Sequence, residues 1–316
     1  MKLLSIQKER KTVHHYSTFY IWMVSLRLKT IPLASCGILT GTALAWAYGV
    51  PINLWIFLFS FSTAVLLQLT SNLANDYGDM SNGGDTEQRI GPNRGLQYGL
   101  ISFAQMKRAI VLVSTLTLLS GITLVLVACQ TWLDILAFIV FGGVSLFAAL
   151  TYTMSKHAYG YYGLGDLSVL IFFGIMSVMG SFYLQTHHIG LYSFLPATAC
   201  GLLSVLVLNV NNMRDIQEDS QTGKRTLAVR LGREKIRYYH LALLGGSLFC
   251  LCLFAVLYEL ANPYIWLFLL ALPLFYFNGR AVLSCKEPVQ LQNQLVVAIK
   301  INIFTLTLFS AGLFLT

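Results

Sequence analysis

Charge is what this chain has least of. It carries 13 acidic residues among 316, and charged residues of both signs make up only 11%. Soluble domains carry about 25%, so a water-exposed globule is excluded. With 56% hydrophobic residues, the chain reads instead as an integral membrane protein. Cysteine is sparse as well: six residues, mostly inside apolar runs and without the CxxC spacing of a metal site, which leaves neither a disulfide framework nor a zinc centre to expect. Strict polar–apolar alternation is missing, which argues against a closed barrel. No signal-peptide pattern precedes the first apolar run.

What is present is a series of apolar runs longer than the roughly 18–20 residues a helix needs to cross hydrocarbon. They predict an all-α, polytopic membrane helical bundle of about nine transmembrane helices, at 30–49, 53–73, 106–128, 133–152, 165–184, 192–212, 238–258, 264–283 and 294–315. The whole chain, 1–316, forms one domain, with 1–29 as a polar, basic N-terminal segment on the cytoplasmic side. All 21 Lys and Arg fall in 1–29, 74–105, 153–164, 213–237, 284–293 and the adjoining helix ends. The opposite turns, near 50–52, 129–132, 185–191 and 259–263, have none. This asymmetry places the N-terminus and the long polar loops inside the cell. Trp46, Trp55, Trp132, Tyr192, Tyr258 and Trp266 mark the outer boundary as an aromatic belt. The net charge of +8 is then an orientation signal, and no basic stripe remains for nucleic acid.

Seven of the 13 acidic residues fall in two short stretches: Asp76, Asp79, Asp85 and Glu87 after the second span, and Asp215, Glu218 and Asp219 after the sixth. Both stretches continue an apolar helix, and both lead to a Gly–Asp–Thr or Gly–Lys–Arg–Thr turn, which suggests a weak parallel repeat of four spans. Residues three or four apart share a helix face. Asn72, Asn75, Asp76 and Asp79 thus form one polar stripe, and Asn212, Asp215 and Asp219 another, with Asn211 beside it. If the two helices face each other, four carboxylates converge, and Asp85 can join from the loop. Carboxylates beside a bilayer are costly and usually mark function. Such a cluster needs cations, and its oxygens suit Mg²⁺, which binds well when it also holds phosphate oxygens. Arg89, Arg94, Lys156, Arg214, Lys224 and Arg225 would complete a diphosphate site. Together with an apolar bundle, this points to a lipid diphosphate. Asp134, Glu259 and Glu287 read as solvated caps or ion-pair partners, and His187 and His188 as solvated residues of an outer turn.

At these residues the sequence resembles the UbiA superfamily of intramembrane prenyltransferases, within it the branch acting on 1,4-dihydroxy-2-naphthoate. The resemblance is carried by Trp22-xxxx-Arg27-x-Lys29-Thr30-x-Pro32, and by Asn72-xx-Asn75-Asp76-Tyr77-x-Asp79-xxxx-Gly84-Asp85 with Arg89-Ile90-Gly91-Pro92. It continues in Tyr161-xx-Leu164-Gly165-Asp166 and in Asn211-Asn212-x-Arg214-Asp215-xxx-Asp219-xxx-Gly223-Lys224-Arg225-Thr226. The chain departs from that branch at Leu28, at Asp166 and in the loop from Tyr152 to His157, where a Gly-Gly-Pro is missing.

The resemblance implies an enzyme of menaquinone biosynthesis in the bacterial cytoplasmic membrane. It would transfer a polyprenyl group from polyprenyl diphosphate to 1,4-dihydroxy-2-naphthoate, with loss of CO₂ and diphosphate. It further implies Mg²⁺ at Asp76, Asp79, Asp215 and Asp219; contacts to substrate or metal from Asn72, Asn75 and Asn212; and diphosphate contacts from Lys156, Lys224 and Arg225. Arg27 or Lys29 would pair with the acceptor carboxylate. Tyr77 and Tyr152 are candidates to face the allylic cation, and Asp76, Asp85 and the departing diphosphate are all candidate proton acceptors. The competing readings are the same chemistry on 4-hydroxybenzoate or homogentisate, a CDP-alcohol phosphotransferase and a cation-coupled transporter. The phosphotransferase motif is continuous, whereas these aspartates lie 139 residues apart (215 − 76). A transporter would hold its carboxylates near mid-span.

Overall fold

The computed structural model describes residues 17–83, 95–155, 158–259 and 262–316, and within them nine helical segments are long and apolar enough to cross a membrane. Asp85 and Lys156 lie outside the described residues, as do Glu87, Arg89 and Arg94. The helices are α1 (Thr18–Leu26) and α2 (Ile31–Ala47), which together make the first span, then α3 (Leu54–Ser81), α4 (Phe103–Ala128), α5 (Trp132–Met154) and α6 (Gly165–Thr186). After these come α7 (Phe194–Arg214), a short α8 (Ile216–Gln221), α9 (Leu227–Glu259), α10 (Pro263–Ser284) and α11 (Leu291–Phe314).

Local chemistry sets the ends. Asn53 caps α3 by accepting from the backbone of Trp55 and Ile56. Capping boxes open α4 (Ser102 with Gln105) and α5 (Thr131 with Asp134). The first span differs from the sequence expectation. Residues 18–26 form a helix rather than a polar lead, because Thr-Phe-Tyr-Ile-Trp-Met-Val-Ser-Leu is apolar and Ile21 is fully buried with Leu73, Leu96 and Met106. The helix stops at Arg27, which adopts a left-handed conformation (φ 48°, ψ 51°). One 3₁₀ turn follows, and Pro32 then sits in the first turn of α2.

The bundle has a dense half and a hollow half. The main core unites α2, α6, α7, α9, α10 and α11 around residues such as Leu44, Phe182, Leu206, Phe254 and Phe309. Within it His240 joins Asn209 (3.3 Å) to Asn278 (2.8 Å), and Asn278 donates to Gln294 (3.0 Å), tying four spans together by polar contacts shielded from lipid. On the hollow side, α5 buries only Asp134 and Thr153, one near each end. Asp134 accepts from Tyr183 on α6 (2.6 Å), and Thr153 donates to Asn75 and to the Ala74 carbonyl on α3 (3.1 and 3.2 Å). Asp134 is thus a helix cap, as expected, but a buried one rather than a solvated one. Between its pinned ends, α5 walls a cavity of about 1570 Å³ that runs from Arg27 and Asp76 to Tyr183 and His188.

Glycine at Gly78 lets α3 meet α5: a Cβ there would lie 2.5 Å from the Thr153 carbonyl carbon. Gly78→Ala is expected to cost about 1–3 kcal/mol through forced separation of the two helices, read as a lower melting temperature of the purified protein. A neutral effect would refute the close approach.

Candidate active site

The last turns of α3 carry the first motif, and its side chains serve three different neighbours. Asn72 donates to the Leu26 carbonyl (2.9 Å) and to Thr30 (3.1 Å), and accepts from Gln68 (3.3 Å). Asn75 accepts from Thr153 on α5 (3.1 Å). Asp76 accepts from Ser25 on α1 (2.8 Å) and from the Gly95 backbone (3.0 Å). Asp79 accepts from the Tyr161 hydroxyl (2.5 Å) and from Lys224 (3.0 Å). One helical stripe therefore ties α1, α5, the 159–162 turn and the second motif to a single point.

The second motif is not one continuous helix face. The chain leaves the helix at Asp215 (φ −94°, ψ 7°), which separates α7 from α8. Arg214, 2% exposed, grips both oxygens of its neighbour Asp215 at 2.6 and 2.7 Å, and also donates to Gln292 (2.6 Å) and Asn211 (2.8 Å). Asp219 lies on α8, 3.9 Å from the Lys224 ammonium. Lys224 thus touches both motifs, and it also lies 4.8 Å from the centre of the Tyr161 ring. The Arg225 backbone N–H donates to the Tyr161 carbonyl (2.7 Å), which holds this loop in place.

Among the described residues, burial and crowding of carboxylates dominate the electrostatics of the site. Burial pushes the Asp219 carboxyl up to about 7, against the opposing pull of Lys224 and with added repulsion from Asp215, Asp79 and Glu218. Asp79, Asp215 and Asp219 share two cations, Lys224 and Arg214. Among the described residues, no three His, Cys, Asp or Glu side chains are grouped closely enough to hold a metal alone. The donor set fits a hard divalent ion that takes one or two carboxylates from the protein and fills its shell with water and phosphate oxygens.

The cavity reaches the polar end at Arg27, Lys29, Asn72, Asn75, Asp76 and Arg214, while Asp79, Asp215, Asp219 and Lys224 lie outside its lining. Asn212 is half-buried and off the cavity, where Asn211 lines it instead; the Arg225 side chain is exposed. Tyr152 lines the cavity, whereas Tyr77 packs edge-on against Phe103 with ring centres 5.4 Å apart. Ser25, Tyr161 and Gln292 are contacts that sequence reasoning did not single out as site residues. Gln292 lies 78 residues from Arg214 with no local signal. Ser25 stands two residues before the Arg27 break, which itself is visible only in the structure.

A helical membrane bundle with paired aspartate motifs at the end of one cavity defines a class, and residues 36–311 match the model of the UbiA prenyltransferase family. The chain belongs to that family. It is 50% identical over 305 residues to the 1,4-dihydroxy-2-naphthoate octaprenyltransferase of Escherichia coli (strain K12), covering 96% of this chain and 98% of the relative. It is 44% identical to the protein of the same name from Haemophilus influenzae, covering 93% and 95%. The fold is also that of a UbiA homolog from Archaeoglobus fulgidus solved with DMAPP and Mg²⁺, with a TM-score of 0.58 at 12% identity over 92% of this chain and 99% of that one.

Two outcomes are expected. Asp215→Ala leaves the buried Arg214 guanidinium with amide partners only and costs about 3–5 kcal/mol, visible as a large loss of thermal stability. Because Asp219 keeps its proton up to about pH 7 when folded but ionises near 3.8 when unfolded, the folded state binds the extra proton in that window. Its contribution to stability therefore falls as pH rises from about 4 to 7 in metal-free protein. Asp219→Asn should flatten that slope, and an unchanged slope would show that another group sets it.

Proposed function

We propose that the chain transfers a polyprenyl group from polyprenyl diphosphate to 1,4-dihydroxy-2-naphthoate, releasing CO₂ and diphosphate, in menaquinone biosynthesis. The observation that carries this reading is a cavity of the described residues that joins a long apolar volume to the first aspartate motif. The naphthoate acceptor follows from the names of relatives at 50% and 44% identity over nearly the full chain. The enzyme sits in the bacterial cytoplasmic membrane with its N-terminus and active site facing the cytoplasm, a placement supported by the confinement of all 21 Lys and Arg to one side.

The prenyl tail lies along the apolar wall, where Phe172, Phe173, Ile175 and Met176 line a π-helical turn of α6. Its diphosphate reaches the polar end, between the two motifs. Asp76 and Asp79 from one side and Asp215 and Asp219 from the other would hold Mg²⁺ there. Bound with the diphosphate, Mg²⁺ offsets the negative charge that grows on the leaving group. Lys224 supplies a further donor to the diphosphate and keeps the two motifs in register. The dry cavity excludes water from the electron-poor prenyl carbon, and the electron-rich ring attacks that carbon through its carboxylated position, which then loses CO₂, the electron pair of the broken bond restoring the aromatic ring. Asn72 and Asn75 act from behind by fixing α3 against α1 and α5.

The test is an assay of purified protein with naphthoate acceptor, polyprenyl diphosphate and Mg²⁺, with the product weighed by mass spectrometry. A prenylated, decarboxylated product is expected, and its absence would sink the reading. Removing Mg²⁺ with a chelator should abolish turnover. Asp76→Asn and Asp79→Asn should lose activity while the protein still folds. Lys224→Gln should lower kcat/KM by about 10- to 100-fold, the worth of one charged hydrogen bond.

A further inference from the structure

We infer that Gln68 binds a ring hydroxyl of the aromatic acceptor through its amide oxygen and so selects the acceptor. This deepens the prenyl-transfer reading and rests on it. Gln68 extends the polar stripe of α3 inward: Gln68, Asn72 and Asp76 stand four residues apart and share a helix face. Eight residues separate Gln68 from Asp76 (76 − 68), about 12 Å along the helix axis. All three line the cavity. Deeper on the same helix the lining passes to Leu67, Ala64, Thr63 and Ser60, so Gln68 is the innermost amide that α3 gives to it.

Its neighbours hold the amide in one orientation. The Thr30 hydroxyl donates to the Arg27 carbonyl (2.9 Å), so its oxygen is left to accept, from Gln68 (3.0 Å) and from Asn72 (3.1 Å). The Asn72 nitrogen also donates to the Leu26 carbonyl (2.9 Å), which turns the Asn72 oxygen toward the Gln68 nitrogen (3.3 Å). The Gln68 nitrogen thus gives one hydrogen to Thr30 and one to Asn72. Flipping the amide would set its oxygen against two other acceptors, so the network itself assigns the orientation.

One atom of this group is left over. The Gln68 oxygen is buried, on a side chain only 9% exposed, and meets no hydrogen-bond donor among the described residues. Buried polar atoms are nearly always paired, and an unpaired one is costly. An amide oxygen can only accept, so what completes it must donate a hydrogen. The prenyl tail has no polar hydrogen, and the ionised diphosphate presents acceptor oxygens. The aromatic acceptor carries two hydroxyls. One stands beside the carboxylate and bonds to it within the molecule, which leaves the 4-hydroxyl as the free donor. The ring must meet the first prenyl carbon on the apolar side of the diphosphate, and Gln68 stands on that side of the aspartates. With its amide fixed from α1, α2 and its own helix, Gln68 offers a rigid acceptor that orients the ring. A site built to bond a substrate hydroxyl also rejects analogues that lack it.

The test is equilibrium binding to the full-length protein in lipid nanodiscs, without air, with Mg²⁺ and inorganic pyrophosphate filling the headgroup site. Three ring probes are compared: 1,4-dihydroxy-2-naphthoate, 1-hydroxy-2-naphthoate, which lacks the 4-hydroxyl, and 1-hydroxy-4-methoxy-2-naphthoate, which has an oxygen there but no hydrogen to donate. The wild type should prefer the dihydroxy ring over either analogue by about 5- to 30-fold, the worth of one buried hydrogen bond. Gln68→Met keeps the length of the side chain and removes the oxygen, and should bring the preference over 1-hydroxy-2-naphthoate to within about two-fold. A purely structural role would weaken all probes alike and leave the preference intact, which overturns the inference. Equal binding of the dihydroxy and methoxy rings by the wild type overturns it as well, and that comparison needs no variant to fold. If the wild type binds the naphthoates without preference, only the role of Gln68 falls. If it binds none of them, the naphthoate reading falls with it.

Discussion

One ammonium sits between carboxylates 140 residues apart (219 − 79): Lys224 lies 3.0 Å from Asp79 and 3.9 Å from Asp219. Removing charges from water beside a bilayer is expensive, and each carboxylate needs a partner or a proton. This contact meets that need for both motifs at once. The Tyr161 hydroxyl on Asp79, the Tyr161 carbonyl on the Arg225 N–H and the neighbouring Arg214–Asp215 pair all form around it. Even so, burial pushes the Asp219 carboxyl up to about 7. Among the described residues, Asp79, Asp215 and Asp219 meet two cations, Lys224 and Arg214, and a divalent ion would add positive charge where those carboxylates crowd.

The first motif has a second role beyond its carboxylates. Read as a stripe, Asn72, Asn75, Asp76 and Asp79 look like four ligands for one centre. In space, Asn72 fastens the α1–α2 break, Asn75 fastens α5, and Asp76 fastens both Ser25 and Gly95. The amides thus act mainly on the protein, and the spacing that suggests shared ligation also serves to join three neighbours at the base of the cavity.

Much of this was legible in the sequence, because membrane burial writes long signals. Runs of about twenty apolar residues suffice for the nine spans. The boundary of the first span was not, because Phe19–Leu26 is apolar but too short to span by itself, and its continuation through Arg27 depends on tertiary hydrogen bonds from α3. The motifs identified Asp79, Asp219 and Lys224, which the fold brings together. The break at Asp215 was hidden, since helical periodicity says nothing of an arginine that folds back onto its neighbour. Gln292 was beyond reach, as its partner lies on another helix. Asp134 was misjudged as solvated because its burial depends on Tyr183 across the cavity mouth.

The attachment of α5 has a consequence for what the cavity can measure. A wall packed along its whole length would return elastic resistance at every point, as protein interiors do. This one has its two buried side chains near its ends, Asp134 and Thr153, while its middle is more exposed. Along this wall the chamber therefore meets no buried side chain between Asp134 and Thr153 that would act as a fixed stop for a tail of one length.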